Sequence, residues 1–273
     1  MEILQYTFFQ NALLGSLLAS ILCGMIGTYI VTRRLVFISG GITHASFGGV
    51  GLGVYFGFPP LLAAAVFAVL SAFGVQWFRK QRDMREDSAI AIFWTLGMSV
   101  GIICSFLSPG FMPDLSSFLF GNILTITTAD LWALGVLTVI VAVFFALFLR
   151  SIVAISFDSE FARSRHLPVT LFEYTLMALI ALTIVATLRM VGIVLVMSLL
   201  TIPPTTANIF THSYRNIILL SMFIGSLSCL GGLFLSYQYN IPSGASIIFV
   251  SILIYMVCKA ASALILRKKA INP

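Results

Sequence analysis

The chain has 273 residues, of which 60% are hydrophobic and only 9% charged, with a formal net charge of +6 and a mean hydropathy of +1.08. A soluble domain carries about 25% charged residues, and a core hiding this much apolar surface would leave too little polar material to cover it. Composition excludes a soluble globular fold and predicts an all-α polytopic membrane helix bundle. Nucleic acid is excluded as the reason for the positive charge. Thirteen of the fifteen Lys and Arg residues fall in short clusters at 33–34, 79–85, 150–165, 215 and 267–269, between apolar runs, which is the distribution of cytoplasmic loops.

In chain order, the apolar run 11–32 is followed, not preceded, by Arg33-Arg34, which predicts an uncleaved span with its N-terminus outside. Segments 42–58 and 61–78 flank Pro59-Pro60 and read as two crossings. Residues 79–87 form a short internal loop, and Glu86-Asp87-Ser88 suits the positive end of the helix that follows. A span over 89–107 leads outward. Residues 111–128 carry no basic residue but include Asp114 and Asn122, and are read as an external or re-entrant connection. Spans over 130–149, 171–188, 191–210, 217–235 and 247–266 complete nine crossings, or eight if the first segment is interfacial or a short one re-entrant. Arg189 is placed at an external turn, and Lys259 snorkels toward the inner interface. The C-terminus is expected in the cytoplasm. Residues 1–273 then form one transmembrane domain, with a cytoplasmic segment at about 151–170.

No Gly-x-x-x-x-Gly-Lys-Ser/Thr phosphate loop occurs in the sequence, so the chain is not expected to bind ATP, to act as an enzyme or to hold a cofactor. Cys23, Cys104, Cys229 and Cys258 lie in apolar runs without paired spacing and read as small buried hydrophobes.

Three stretches carry chemistry. In the first, Gly41, Ala45, Gly49, Gly53 and Gly57 recur every four residues, a stripe that lets a neighbouring backbone approach closely in a bilayer. Gly40, His44 and Gly48 form the adjacent row. His44 is the one histidine inside a span. It reads either as a transient metal ligand lining a pathway or as a neutral imidazole bonded to a neighbouring helix. In the second stretch, Phe157 to Pro168, helical spacing places Phe157, Phe161 and Ala162 on one face with Arg165 nearby. That segment reads either as a solvated loop helix or as a docking helix for a soluble partner. The third, Met190 to Asn208, ends in Pro203-Pro204, whose missing donors free backbone carbonyls. That stretch reads either as a structural kink alone or as unwound backbone lining a cavity with Ser198, Thr201, Thr205 and Thr206.

Taken in order, Arg33-Arg34-Leu35 with Gly41-Ile-Thr-His44-Ala45, then Phe157-Asp-Ser-Glu-Phe-Ala162, then Val191-Gly-Ile-Val-Leu-Val-Met-Ser-Leu-Leu-Thr-Ile-Pro-Pro-Thr-Thr-Ala207 resemble the permease subunit of bacterial ABC importers for zinc, manganese and iron. The resemblance covers nearly the whole chain. It implies a large-importer ABC permease fold in the bacterial inner membrane, paired with a second copy or a close relative. It further implies two cytoplasmic ATP-binding subunits, an extracytoplasmic metal-binding protein, and membrane lipid as the remaining surroundings. The family's coupling helix maps onto 158–168, which makes Asp158, Glu160, Phe161, Ala162, Arg165 and His166 the coupling residues and His44 the metal contact. Two departures stand out: the family commonly has aspartate where this chain has Gly40, and glycine where it has His166. A metal chelate is the alternative cargo. A secondary carrier is disfavoured because such proteins keep carboxylates inside spans, whereas Glu2, Asp83, Glu86, Asp87, Asp114, Asp130, Asp158, Glu160 and Glu173 all fall in loops or at span ends. A membrane hydrolase lacks both a nucleophile–base set and an HExxH motif.

Overall fold

The computed structural model describes residues 7–80, 85–108, 121 and 126–271, without the side chains of 189 and 265–271. Asp114, Asn122 and most of the expected external connection lie outside these residues. Among the described residues every regular element is a helix: α1 (Thr7–Thr32), α2 (Val36–Phe56), α3 (Pro60–Lys80), α4 (Glu86–Leu107), α5 (Thr128–Phe157), the short α6 (Ser159–Ser164), α7 (Val169–Phe210), α8 (Tyr214–Tyr239) and α9 (Ser243–Ile271).

Eight helical segments among the described residues are long and apolar enough to cross a membrane, counting the two halves of α7 separately. The protein is therefore a multi-pass membrane helix bundle. The 21-residue α2 is of equal length, but its glycines and His44 dilute its hydropathy, and it stands outside those eight.

Contacts between helices fix the direction of each pass. Arg33 at the end of α1 meets Glu173 near the start of α7 and the Ile155 carbonyl near the end of α5. Arg79 pairs with Glu86 between α3 and α4. These groups mark one charged end of the bundle. At the far end Gly15 of α1 lies against Met190, Ile126 and Leu131, and Gly53 of α2 against Pro60. From there α7 turns back, since Gly27 of α1 meets Leu200 and Pro204. Helix α8 runs antiparallel to α1, with Met222 beside Gly24 and Gly225 beside Ser20, and α9 returns along α8 through Gly232 and Ile247.

The reversal inside α7 sits at Gly192, with φ 73° and ψ 168°, a region open in practice to glycine alone. The expectation of a turn at Arg189 is corrected by three residues: the helix runs through Arg189 and breaks at Gly192. The expectation of unwound backbone at Pro203-Pro204 is also corrected. Both prolines lie within continuous helix. Proline at 204 removes the donor for the Leu200 carbonyl, and this oxygen lies directly against Gly27 of α1. Any side-chain carbon at 27 would collide with that oxygen, so glycine there lets α1 pack against the proline turn of α7.

Glycine packing dominates α2, with a different partition from the one expected. A side-chain carbon added at Gly49 would sit 2.5 Å from the Ala63 carbonyl oxygen and 2.6 Å from the Ala64 Cα, so that glycine lets α3 touch backbone to backbone. The face toward α4 uses Gly48 and Gly51, which meet Gly97 and Gly101. Gly57 does not belong to the stripe. It caps α2 in the left-handed conformation (φ 72°) with open space around it.

Candidate translocation path and docking segment

His44 projects from the middle of α2 and is half-buried. Its ring stacks on Trp94 of α4, with centroids 4.2 Å apart and planes inclined by 7°. The Nδ1 atom is buried and has no hydrogen-bond partner among the described residues. One turn back, a side chain at Gly40 would meet the Met197 methyl at 2.9 Å and its sulfur at 3.7 Å. Residues four apart on a helix have Cβ positions about 5–6 Å apart, so the Met197 thioether lies within one turn of His44. Gly40 therefore leaves room that Met197 occupies. No group of three or more His, Cys, Asp or Glu occurs among the described residues, which excludes a closed structural metal site there.

Along the second half of α7, Ser198 and Thr201 are half-buried and Thr205 is exposed. These three continue the helix face that begins beside Gly40. Their spacing of three and four residues keeps them on one stripe. Thr201 donates to the Met197 carbonyl at 2.8 Å and Thr205 to that of Thr201 at 2.6 Å, so these two hydroxyls keep their oxygens available as acceptors. Thr206 lies off this stripe: it is fully buried and bonded to the Ile202 carbonyl, because a residue next to Thr205 points about 100° away around the helix.

The docking segment folds as a single short helix. Asp158 caps α6, its side chain accepting from the amides of Glu160 at 3.0 Å and Phe161 at 2.9 Å. Its carboxylate thus shapes the helix, whereas Glu160 is free to meet a partner. The expected shared face of Phe157, Phe161 and Ala162 is corrected as well. Phe157 and Phe161 are exposed, while Ala162 is fully buried against Ile155 and Val169. Arg165 stacks over the Phe161 ring at 5.6 Å. His166 follows with φ 59°, a left-handed residue closing the turn, and that conformation is one glycine takes without strain.

Cys23, Cys104 and Cys229 are free and buried, and Cys258 is half-buried. Sequence reasoning missed three things. Trp94 and Met197 were not singled out, since an aromatic and a thioether in apolar runs look like ordinary packing. Glu173, taken as a span end, is buried at 7% exposure and bonded to Arg33 and to Gln76, itself 2% exposed. A glutamine inside the 61–78 apolar run was the available signal.

The molecule is a bundle of membrane-spanning helices with a short capped helix at its charged end. Residues 5–262 match the ABC 3 transport family, and the chain belongs to it. Among its relatives, an uncharacterized membrane protein of Synechocystis is 41% identical over 95% of this chain and 92% of its own length. The manganese transport system membrane protein MntC of Listeria monocytogenes is 33% identical over 93% of this chain and 91% of its own. Among solved structures, PsaBC from Streptococcus pneumoniae in complex with Fab matches with a TM-score of 0.85 at 28% identity, covering 94% of this chain and 92% of that one. The large-importer ABC permease fold read from the sequence is the observed fold.

Proposed function

We propose that this chain, as one transmembrane domain over residues 1–273, is the translocation subunit of an ATP-driven importer of a divalent metal ion. Two cytoplasmic subunits supply the ATP hydrolysis, an extracytoplasmic protein delivers the ion, and a second permease copy or close relative completes the path. The membrane is the bacterial inner membrane with the C-terminus in the cytoplasm. The gathering of the described basic residues at the end marked by Arg33, Arg79 and Arg163 supports that orientation.

The observation that carries the reading is the half-buried, carboxylate-free His44 imidazole on α2, with the Met197 thioether of α7 set against Gly40 one turn away and the hydroxyls of Ser198, Thr201 and Thr205 following along α7. An ion passing there meets neutral donors that hold it briefly. The name of the Listeria relative points to manganese, but imidazole and thioether without a carboxylate suit zinc better than manganese. The cargo is therefore proposed as a divalent ion of the zinc, manganese and iron class, with zinc preferred.

In this reading α6 seats in a groove of the ATP-binding subunit, with Phe157 and Phe161 as anchors and Glu160, Arg165 and His166 setting register. Glu160→Lys reverses an exposed charge without touching the Asp158 cap. Co-purification of the permease with its ATP-binding partner is expected to fall about tenfold, within the range for a charge at an interface. Retention of the partner at the level of the unmodified chain overturns the assignment of α6 as the docking helix.

A further inference from the structure

Glu173 is the one buried carboxylate among the described residues, and it ties together elements distant in sequence. Its Oε1 accepts from Arg33 Nη2 at 3.1 Å and its Oε2 from Gln76 Nε2 at 3.0 Å, while Lys80 Nζ approaches Oε2 at 3.6 Å. Arg33 uses its other terminal nitrogen, Nη1, to donate to the Ile155 carbonyl at 3.0 Å. Ile155 and Val169 are the residues against which Ala162 of α6 is buried. Arg33 thus grips both flanks of the docking helix, the end of α5 through Ile155 and the start of α7 through Glu173. The next residue extends the grip: Lys80 lies 4.7 Å over the Tyr174 ring, and Phe73 meets that ring edge-on at 5.3 Å. Residues 73, 76 and 80 are successive positions on one face of α3, so the C-terminal turns of that helix are fastened to the first turns of α7.

A buried ion pair of this kind adds little net stability over an apolar replacement, and its best-attested use is to fix one arrangement. The planar guanidinium suits a two-acceptor grip, since its nitrogens are held in a rigid fork that an ammonium lacks. From α3 the connection runs to the helix that carries His44, because Gly49 of α2 lies against the backbone of Ala63 and Ala64. Close-packed backbone transmits displacement without yielding.

We infer that Arg33 and Glu173 are positioning residues that clamp the docking helix, the start of α7 and the end of α3 into one rigid unit, so that a displacement of α6 reaches His44 through α3. This rests on the proposed docking of an ATP-binding subunit at α6. The clamp stands apart from the path, since neither residue touches His44 or the Ser198 to Thr205 stripe.

The test uses the permease assembled with its ATP-binding partner in lipid vesicles. Zinc uptake and ATP hydrolysis are measured together, and nitroxide labels at S164C in α6 and W77C in α3 report the distance across the clamp. Without substitutions in the clamp, the label distance is expected to stay constant when a non-hydrolysable ATP analogue binds. In R33K the distance distribution is expected to broaden with nucleotide, and zinc taken up per ATP hydrolysed to fall about tenfold, within the usual range of coupling between sites. The double variant R33M/E173M removes the Arg33–Glu173 pair together and leaves only the part-exposed Lys80 without its carboxylate, so it serves if R33K fails to assemble, and the same two changes are expected. A label distance that shifts with nucleotide in the intact clamp overturns the inference, as does an unchanged uptake-to-hydrolysis ratio in either variant. A complex that hydrolyses ATP without taking up zinc or manganese refutes the transport reading instead, while the label distances still report on the clamp.

Discussion

His44→Ala is expected to lower metal-ion uptake about tenfold or more, at least the scale seen when groups that only support metal ligands are removed, while leaving the permease assembled in the membrane. The imidazole is half-buried and its Nδ1 has no partner among the described residues, so its removal breaks no helix–helix hydrogen bond formed through that atom. What it does contact is Trp94, face to face at 4.2 Å. His44→Phe separates the two roles, because a phenyl ring keeps the stack and lacks the nitrogen lone pair. Uptake by the phenylalanine variant at the unmodified rate returns His44 to a packing role. Loss in both variants, with assembly intact by size-exclusion chromatography, assigns the effect to the imidazole nitrogens. On the proposed path, zinc is expected to outcompete manganese when both are offered at equal concentration, since an imidazole without a carboxylate favours zinc.

Gly49→Val is expected to abolish correct assembly of the α2–α3 pair. The first added carbon alone would lie 2.5 Å from the Ala63 carbonyl oxygen and 2.6 Å from the Ala64 Cα. Both are backbone atoms that cannot rotate aside. Overpacking a close interface costs about 1–3 kcal/mol where side chains can give way, and here the helices themselves must separate. Thermal unfolding in detergent, or the yield of monodisperse protein, measures this. Gly57→Ala is the informative contrast. It has open space around it but a left-handed backbone at φ 72°, so its cost is set by conformation alone, about 1–2 kcal/mol. A valine at 49 tolerated as well as an alanine at 57 would contradict the backbone contact.

Much of this arrangement was legible in the sequence, for reasons specific to particular residues. The basic clusters marked the ends of the passes because charge cannot sit in hydrocarbon without cost. Gly41 to Gly53 announced a close helix contact because nothing else in a membrane helix rewards so much glycine. Glu86-Asp87 marked the start of α4 because acidic side chains suit a helix N-terminus. The illegible features depended on partners distant in the chain. Nothing near Pro203-Pro204 reveals that Gly27, far upstream, covers the carbonyl those prolines expose. The stripe stops short of Gly57 because helix α2 ends there, and a four-residue repeat does not show where a helix ends. Ala162 and Phe161 part company because Ile155 and Val169 converge behind α6, which spacing within the segment could not show. Glu173 looked like a solvated helix end until Arg33, Gln76 and Lys80 were seen to enclose it.

The most direct test is metal-ion uptake by vesicles holding this permease with and without its ATP-binding partner. Radiolabelled zinc and manganese are offered together with the extracytoplasmic binding protein. Accumulation that requires both the partner and hydrolysable ATP, with zinc preferred, is the expected result. Accumulation at the same rate without the partner or without ATP, or none of either ion with the full assembly and ATP present, would contradict it.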